Sequence, residues 1–183
     1  MVQFTPLRPY RPAITYATAI TTQAFEKPLE AEYPHIPPSP DYSFQHVLQP
    51  ESFAVRRLPE NERLTIARRE LEAFIEQELL EREEQPAAYV YQQQSGPNLH
   101  TGIVGGLSRQ DYDMGHIREH EQVHRARAAM LLDFYREVGV NGTPVLMAHP
   151  DNRELEAWKA EVMAGLRLYN FTTKEGTQHA GWR

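Results

Sequence analysis

Residues 87–107 read AAYVYQQQSGPNLHTGIVGGL, and this stretch decides the fold. Two runs rich in aromatic and β-branched residues, 87–93 and 99–107, flank Ser95-Gly96-Pro97-Asn98. Glycine and proline there are turn chemistry, so the two runs are expected to pair as a hairpin. A second hairpin is expected near the C-terminus, where 166–172 and 177–182 surround Lys174-Glu175-Gly176.

Helices are expected between and before these hairpins. After Pro59, Leu64, Ala67, Leu71, Phe74, Ile75 and Leu79 recur at spacings of three and four, which puts them on one face. Glu70, Glu72, Glu76, Glu78 and Arg82 form the opposite, solvated face, and Pro86 bars continuation. Residues 126–138 form a second helix whose apolar side is Ala129, Leu132, Phe134, Tyr135 and Val138, with Gly139 as its C-terminal cap. Residues 144–148 (PVLMA) are expected as a short buried strand. Asp151 then caps a third helix that carries Leu155, Trp158, Val162 and Met163 and ends at Gly165. Strands and helices mix without βαβ alternation. The expected class is therefore α+β, with a mixed or antiparallel sheet and about three main helices.

The start of the chain reads differently. Ten of the 14 prolines lie at or before Pro59, including Pro34, Pro37, Pro38 and Pro40. Proline blocks helix interiors and central strands, so residues 1–59 are expected to be a largely extended arm on a body spanning 60–183. Within that arm 13–20 and 42–48 (YSFQHVL) are expected as short strands. There is no internal repeat and no low-complexity run. A length of 183 residues suits a single domain over 1–183.

Composition narrows the function classes. With 40% hydrophobic and 24% charged residues the chain can bury a real core. Lys and Arg number 19 against 25 Asp and Glu, a net charge of −6, and the pI is near 5.8. Neither nucleic acid nor an anionic membrane is an expected partner. The absence of cysteine excludes disulfides, Cys-ligated zinc, iron–sulfur clusters and thiol catalysis. No apolar stretch approaches 18 residues and no signal pattern opens the chain, so a cytoplasmic protein is expected. Nothing in the sequence fixes the oligomeric state.

One motif carries chemistry. His120-Glu121-Gln122-Val123-His124 matches H-E-x-x-H. On a helix its two histidines share a face, where His120 and His124 could ligate zinc while Glu121 acts on bound water. Such a site needs a third ligand, and the downstream G-x-x-H continuation is absent because Arg127 stands at the glycine position. Glu137, Glu154 and Glu156 remain as donors of that third bond. Zinc is therefore not expected. His46 and His179 sit on expected strands and read as core histidines. Gly105-Gly106 is too short for a phosphate loop, and neither G-x-x-x-x-G-K-[ST] nor G-x-G-x-x-G occurs. Tyr89, Tyr91, Tyr112 and Trp158 read as core or strand aromatics, since a base-stacking platform would not suit a chain of net −6.

Several segments taken in order carry a family resemblance. They are Phe4-Thr5-Pro6-Leu7-Arg8-Pro9, Ser43-Phe44-Gln45-His46-Val47 with Gln49-Pro50-Glu51, Tyr89-Val90-Tyr91, and Thr101-Gly102-Ile103-Val104. Asp111-Tyr112, Gly115, Ile117, His120 and Glu121 follow, then Pro144-Val145, then the stretch from Tyr169 to Trp182. Together they resemble the bacterial and archaeal family called domain of unknown function 1015, from its PF-x-x-LRP opening to its YDFT…DG…H…W hairpin. The chain departs from the family at 23–27, which read QAFEK where the family has PPYDV. It departs again at Val123, Arg127, Ala128 and Leu131, where the family has Thr, Lys, Glu and Arg. Family members are usually about twice as long, so the resemblance implies that this chain is expected to correspond to the N-terminal part of a longer architecture.

The resemblance implies phosphoryl transfer involving serine or phosphoserine. Phosphoryl transfer is mostly positioning and charge neutralisation, with ATP or ADP and Mg²⁺ as the implied cofactors. Under it, His120, Glu121 and Arg127 are the catalytic candidates, and His46 and Glu51 the ligand-binding ones. The substitutions after Glu121 remove charge from that segment. The expected role is accordingly a ligand-binding or regulatory scaffold with weak or no catalysis and no required cofactor. Its expected ligand is a small phosphorylated molecule or an amino acid. A serine- or phosphoserine-directed phosphotransferase is the alternative, and a zinc hydrolase built on the HEQVH motif the third.

Overall fold

The computed structural model describes residues 2–22, 42–50, 58–118, 124–173 and 176–183. In chain order the elements are β1 (Phe4–Thr5), β2 (Tyr10–Pro12), a 3-10 turn (Ile14–Tyr16), α1 (Ala17–Ile20), α2 (Gln45–Leu48), α3 (Glu60–Glu76) and β3 (Leu80–Arg82). They continue with β4 (Tyr89–Ser95), β5 (Asn98–Val104), β6 (Gly106–Leu107), α4 (Arg109–Asp113), α5 (Arg125–Val138), α6 (Arg153–Met163), β7 (Tyr169–Thr172) and β8 (Gln178–Trp182). The fold is α+β. The chain packs into two compact units. Ala19–Glu81 and Val123–Val145 build a helical unit; Met1–Thr18, Arg82–Gln122 and Leu146–Arg183 build a sheet unit. No helix of the described residues is long and apolar enough to cross a membrane.

The helical unit rests on α3. Pro59 is its N-cap and Glu60 and Glu62 lie in its first turn, where carboxylates meet the positive end of the helix dipole. Its buried face is Leu64, Ala67, Leu71 and Phe74, as the spacing predicts. These pack with Ile20, Val47, Leu79, Leu80, Phe134 and Val138 into one apolar core. Phe44 meets the Phe74 ring edge-on at 6.1 Å between centroids. The helix stops well before Pro86. Glu78 turns left-handed at φ 57, and the chain reverses there to bury Leu79 and Leu80. α5 ends as expected: Gly139 takes φ 83 and donates its N–H to the Tyr135 carbonyl. Only Phe134 and Val138 of its expected apolar side are buried, while Leu132 is 46% exposed.

The sheet unit is an antiparallel sheet in the order β5-β4-β8-β7. Both expected hairpins are present. The first turns through Gly96 at φ 55, and the second has Gly176 at φ 84, with Lys174 and Glu175 outside the described residues. α6 covers one face, packing Trp158, Val162 and Met163 on Val90, Ala180 and Trp182. Asn152, rather than Asp151, caps α6 by accepting the Leu155 N–H at 3.1 Å. β1 pairs antiparallel with β6, and the Phe4 ring occupies the space that a side chain at Gly105 would fill. Asp111, buried at the start of α4, accepts the Gln3 N–H at 2.8 Å and the His116 Nδ1–H at 2.9 Å. These bonds hold its carboxyl below the usual aspartate range.

Three expected strands are absent. Residues 42–48 carry α2 instead, because Phe44, Val47 and Leu48 are spaced for a helix face and the Ser43 hydroxyl accepts the Gln45 N–H. Residues 13–20 carry a 3-10 turn and α1. Ala13, Ala17 and Ile20 are the buried positions there, a helical spacing rather than an alternation. Residues 144–148 form no strand, and Val145 and Leu146 are 71% and 93% exposed. Pro144 and Pro150 bracket that run and remove ladder donors at both ends. Within 1–59 the described residues also carry β1 and β2; the stretches 23–41 and 51–57 lie outside the described residues.

Candidate ligand-binding site

The strand registers place side chains in rows on the sheet face opposite α6. Arg183, one step beyond Trp182, comes beside Tyr89 and Val104. The next row holds Gly102, Tyr91, Gly181 and Tyr169, and the third His100, Gln93, His179 and Phe171. The arm covers part of this face. Leu7 bridges Ala87, the Glu83 N–H reaches the Pro9 carbonyl, and the Tyr169 hydroxyl donates to the Pro12 carbonyl at 2.5 Å. The β4–β5 side stays open, with Tyr91 39% and Val104 38% exposed.

At the first row two arginines meet one carboxylate, and a third reaches the backbone of the same residue. Glu83 is 5% exposed, and its Oε1 accepts from Arg11 Nε at 2.8 Å while Oε2 faces Arg183 Nη1 at 3.2 Å. Arg8 Nε donates to the Glu83 backbone carbonyl at 3.2 Å. Burial pushes the Glu83 carboxyl up, but the Arg11 hydrogen bond, the nearby Tyr89 hydroxyl and the charges of Arg183 and Arg11 outweigh it, so its pKa lies below the usual value. The same carboxylate acts on Tyr89: burial first, then Glu83, push the phenol up to about 12. Two guanidiniums thus share one carboxylate, with a third at its backbone carbonyl, in a chain whose net charge is −6.

The third row packs against Tyr91. Burial lowers the His179 pKa and raises that of Tyr91, and Tyr91 Oη and His179 Nδ1 share a hydrogen bond of 2.5 Å. Phe171 stacks on the other side of His179, with centroids 4.9 Å apart and planes 12° from parallel. Tyr91 is thereby an exposed aromatic ring fixed from behind.

The sequence-derived candidates fall elsewhere. His46 is half-buried on α2 of the helical unit. His124 is the N-cap of α5, at ψ 105, and Arg127 is exposed on the first turns of that helix. The helix therefore begins at Arg125, after His124. Glu51, His120 and Glu121 lie outside the described residues. Among the described residues no group of three or more His, Asp or Glu converges as metal ligands would. The Glu83 cluster was not anticipated. Glu83 lies in the acidic run Glu81-Arg82-Glu83-Glu84, which reads as solvated, and its partners are distant in sequence. The only local signal was Arg8 and Arg11 among prolines, a rigid segment carrying two guanidiniums.

No curated protein and no solved structure matches the chain. A family model described as "Protein of unknown function (DUF1015)" matches residues 4–183, from the Phe4 of β1 to the Arg183 that meets Glu83, and the chain belongs to that family.

Proposed function

We propose that this chain is a ligand-binding or regulatory module with weak or no catalysis, and that its ligand is a small organic anion held at Arg183. The observation that carries this is the meeting of Arg11 and Arg183 on the buried Glu83 carboxylate. A guanidinium has five N–H donors in a planar fork, and Arg183 meets Glu83 through Nη1. The Arg183 side chain is 45% exposed. Its remaining donors can form the bidentate, charge-assisted bonds that carboxylates and phosphates accept. A phosphorylated small molecule or an amino acid has that chemistry. We place the module in the cytoplasm, with which a cysteine-free chain is compatible.

Titration calorimetry with O-phosphoserine, serine and orthophosphate tests the proposal. Binding of at least one anion is expected, weakened at least tenfold by Arg183→Ala and less by Arg183→Lys. Absence of heat with every anion overturns it. The catalytic alternative has its own assay: serine with ATP or ADP and Mg²⁺, and separately phosphoserine, followed for phosphate transfer. Turnover near about 1 s⁻¹, within the usual enzyme range, that disappears in Arg127→Ala makes the enzyme the better reading.

A further inference from the structure

Asp111 holds His116 twice. At the end of α4, Gly115 takes φ 74 and turns the chain back, so that the His116 N–H donates to the Asp111 carbonyl at 2.9 Å. The side chains repeat the contact: His116 Nδ1–H donates to Asp111 Oδ1 at 2.9 Å. The Asp111 side chain is 6% exposed, and its other oxygen accepts the Gln3 N–H. The imidazole is 43% exposed. An ionised carboxylate can only accept, so the proton of the neutral ring sits on Nδ1 and the free lone pair on Nε2.

Two other histidines are held differently. His179 is buried and meets the Tyr91 hydroxyl, and the exposed His149 turns its Nδ1 to the Pro150 carbonyl at 2.8 Å. A buried carboxylate behind Nδ1 favours attack by Nε2 in two ways. It fixes the ring in one orientation, and it stabilises the positive charge that the ring gains when Nε2 forms a bond. The electrophile that suits this ring is a phosphoryl group. An acyl adduct leaves the ring cationic and open to hydrolysis, whereas a phosphoryl group brings negative charge that balances it. Arg118 is exposed and only two residues on, within about 7 Å of extended backbone, and its guanidinium suits the phosphoryl oxygens.

The geometry points to His116 as a phosphoryl-accepting histidine, which takes the group at Nε2 from a small activated phosphoryl donor, with Asp111 as a positioning residue and Arg118 as the anion contact. The Nε2 lone pair attacks phosphorus. The Nε2–P bond forms as the bond from phosphorus to the leaving group breaks. The leaving group departs with that electron pair and takes up a proton from water, while Nδ1–H stays on Asp111. The site does not depend on the anion-binding role proposed for Arg183.

Phosphoramidate, whose leaving group is ammonia, is the probe for the full chain. Trypsin then releases residues 110–118, in which His116 is the single histidine, so mass spectrometry follows it separately from His149. Phosphorus NMR tells Nε2 from Nδ1 adducts. His116 is expected to react at Nε2 at least fivefold faster than His149, and to lose that preference in concentrated urea and in Asp111→Asn. A smaller preference, attachment at Nδ1, or a preference that survives unfolding overturns the proposal, and the urea comparison stands even if the Asp111 variant fails to fold. Arg118→Ala is expected to slow phosphorylation at least threefold while leaving carbethoxylation of His116 by diethyl pyrocarbonate unchanged. An equal change in both reactions overturns the choice of a phosphoryl group.

Discussion

The two units of this chain bury different things. The helical unit closes on ten apolar residues, from Ile20 to Val138. The sheet unit has a much smaller apolar centre, Val90, Ala180 and Trp182 under α6, yet it holds Glu83, Asp111, Lys159 and His179, all more than nine-tenths buried. Burying an ionisable group is costly unless it is paired. Glu83, Asp111, Lys159 and His179 each have a partner, at 2.8, 2.9, 2.6 and 2.5 Å. One unit is thus a source of stability, and the other spends part of its interior on fixed polar geometry.

The largest expected effect is in the helical unit. Phe74 is 3% exposed at the centre of its core, and Phe74→Ala is expected to lower stability by about 3–5 kcal/mol, measured by denaturant unfolding. A loss under about 1 kcal/mol would break the contrast. Anion binding to the sheet unit should survive in whatever fraction remains folded.

Glu83→Gln tests the other side. It removes the charge that Arg11 and Arg183 share, and an intermediate cost of about 1–3 kcal/mol is expected, reduced by the exposure of the arginines. The pH dependence is sharper. The folded pKa of Glu83 lies below its ordinary value of 4.5, so the unfolded state takes up its proton first. This contribution is present above about pH 4.5 and is lost as the pH falls through the folded value. The His179 pKa is also lowered, from 6.5, so its contribution is present above about pH 6.5 and is lost on acidification below that. Thermal melting against pH should show both declines, and Glu83→Gln should flatten the lower one while leaving the upper one in place. A lower decline unchanged in the variant would assign it to other carboxylates.

The smallest effect concerns a helix end. Gly139 adopts φ 83, a conformation that costs an L side chain about 1–2 kcal/mol. Gly139→Ala should therefore lower stability by about 1 kcal/mol without touching anion affinity, which melting and calorimetry together would reveal. Loss of affinity would mean that the helical unit reaches the site.

Sequence and tertiary structure divide the work along physical lines. Features set by neighbours a few residues apart were legible in advance: the Gly96-Pro97 turn, the three-and-four spacing of α3, the Gly139 cap and both hairpins. Short apolar runs were not. Residues 42–48 satisfy a strand composition and a helix spacing at once, and packing chose the helix; 144–148 looked buried and found no ladder. The candidate site was the least legible part. H-E-x-x-H is conspicuous because its residues are adjacent, although proximity in sequence does not place a site. Glu83 meets Arg11 from 72 positions away and Arg183 from the far end of the chain, and no local pattern can announce such a meeting. The sequence by itself determined the α+β class, the hairpins and the family. Only the tertiary structure, through strand register and burial, decided which arginines share a carboxylate.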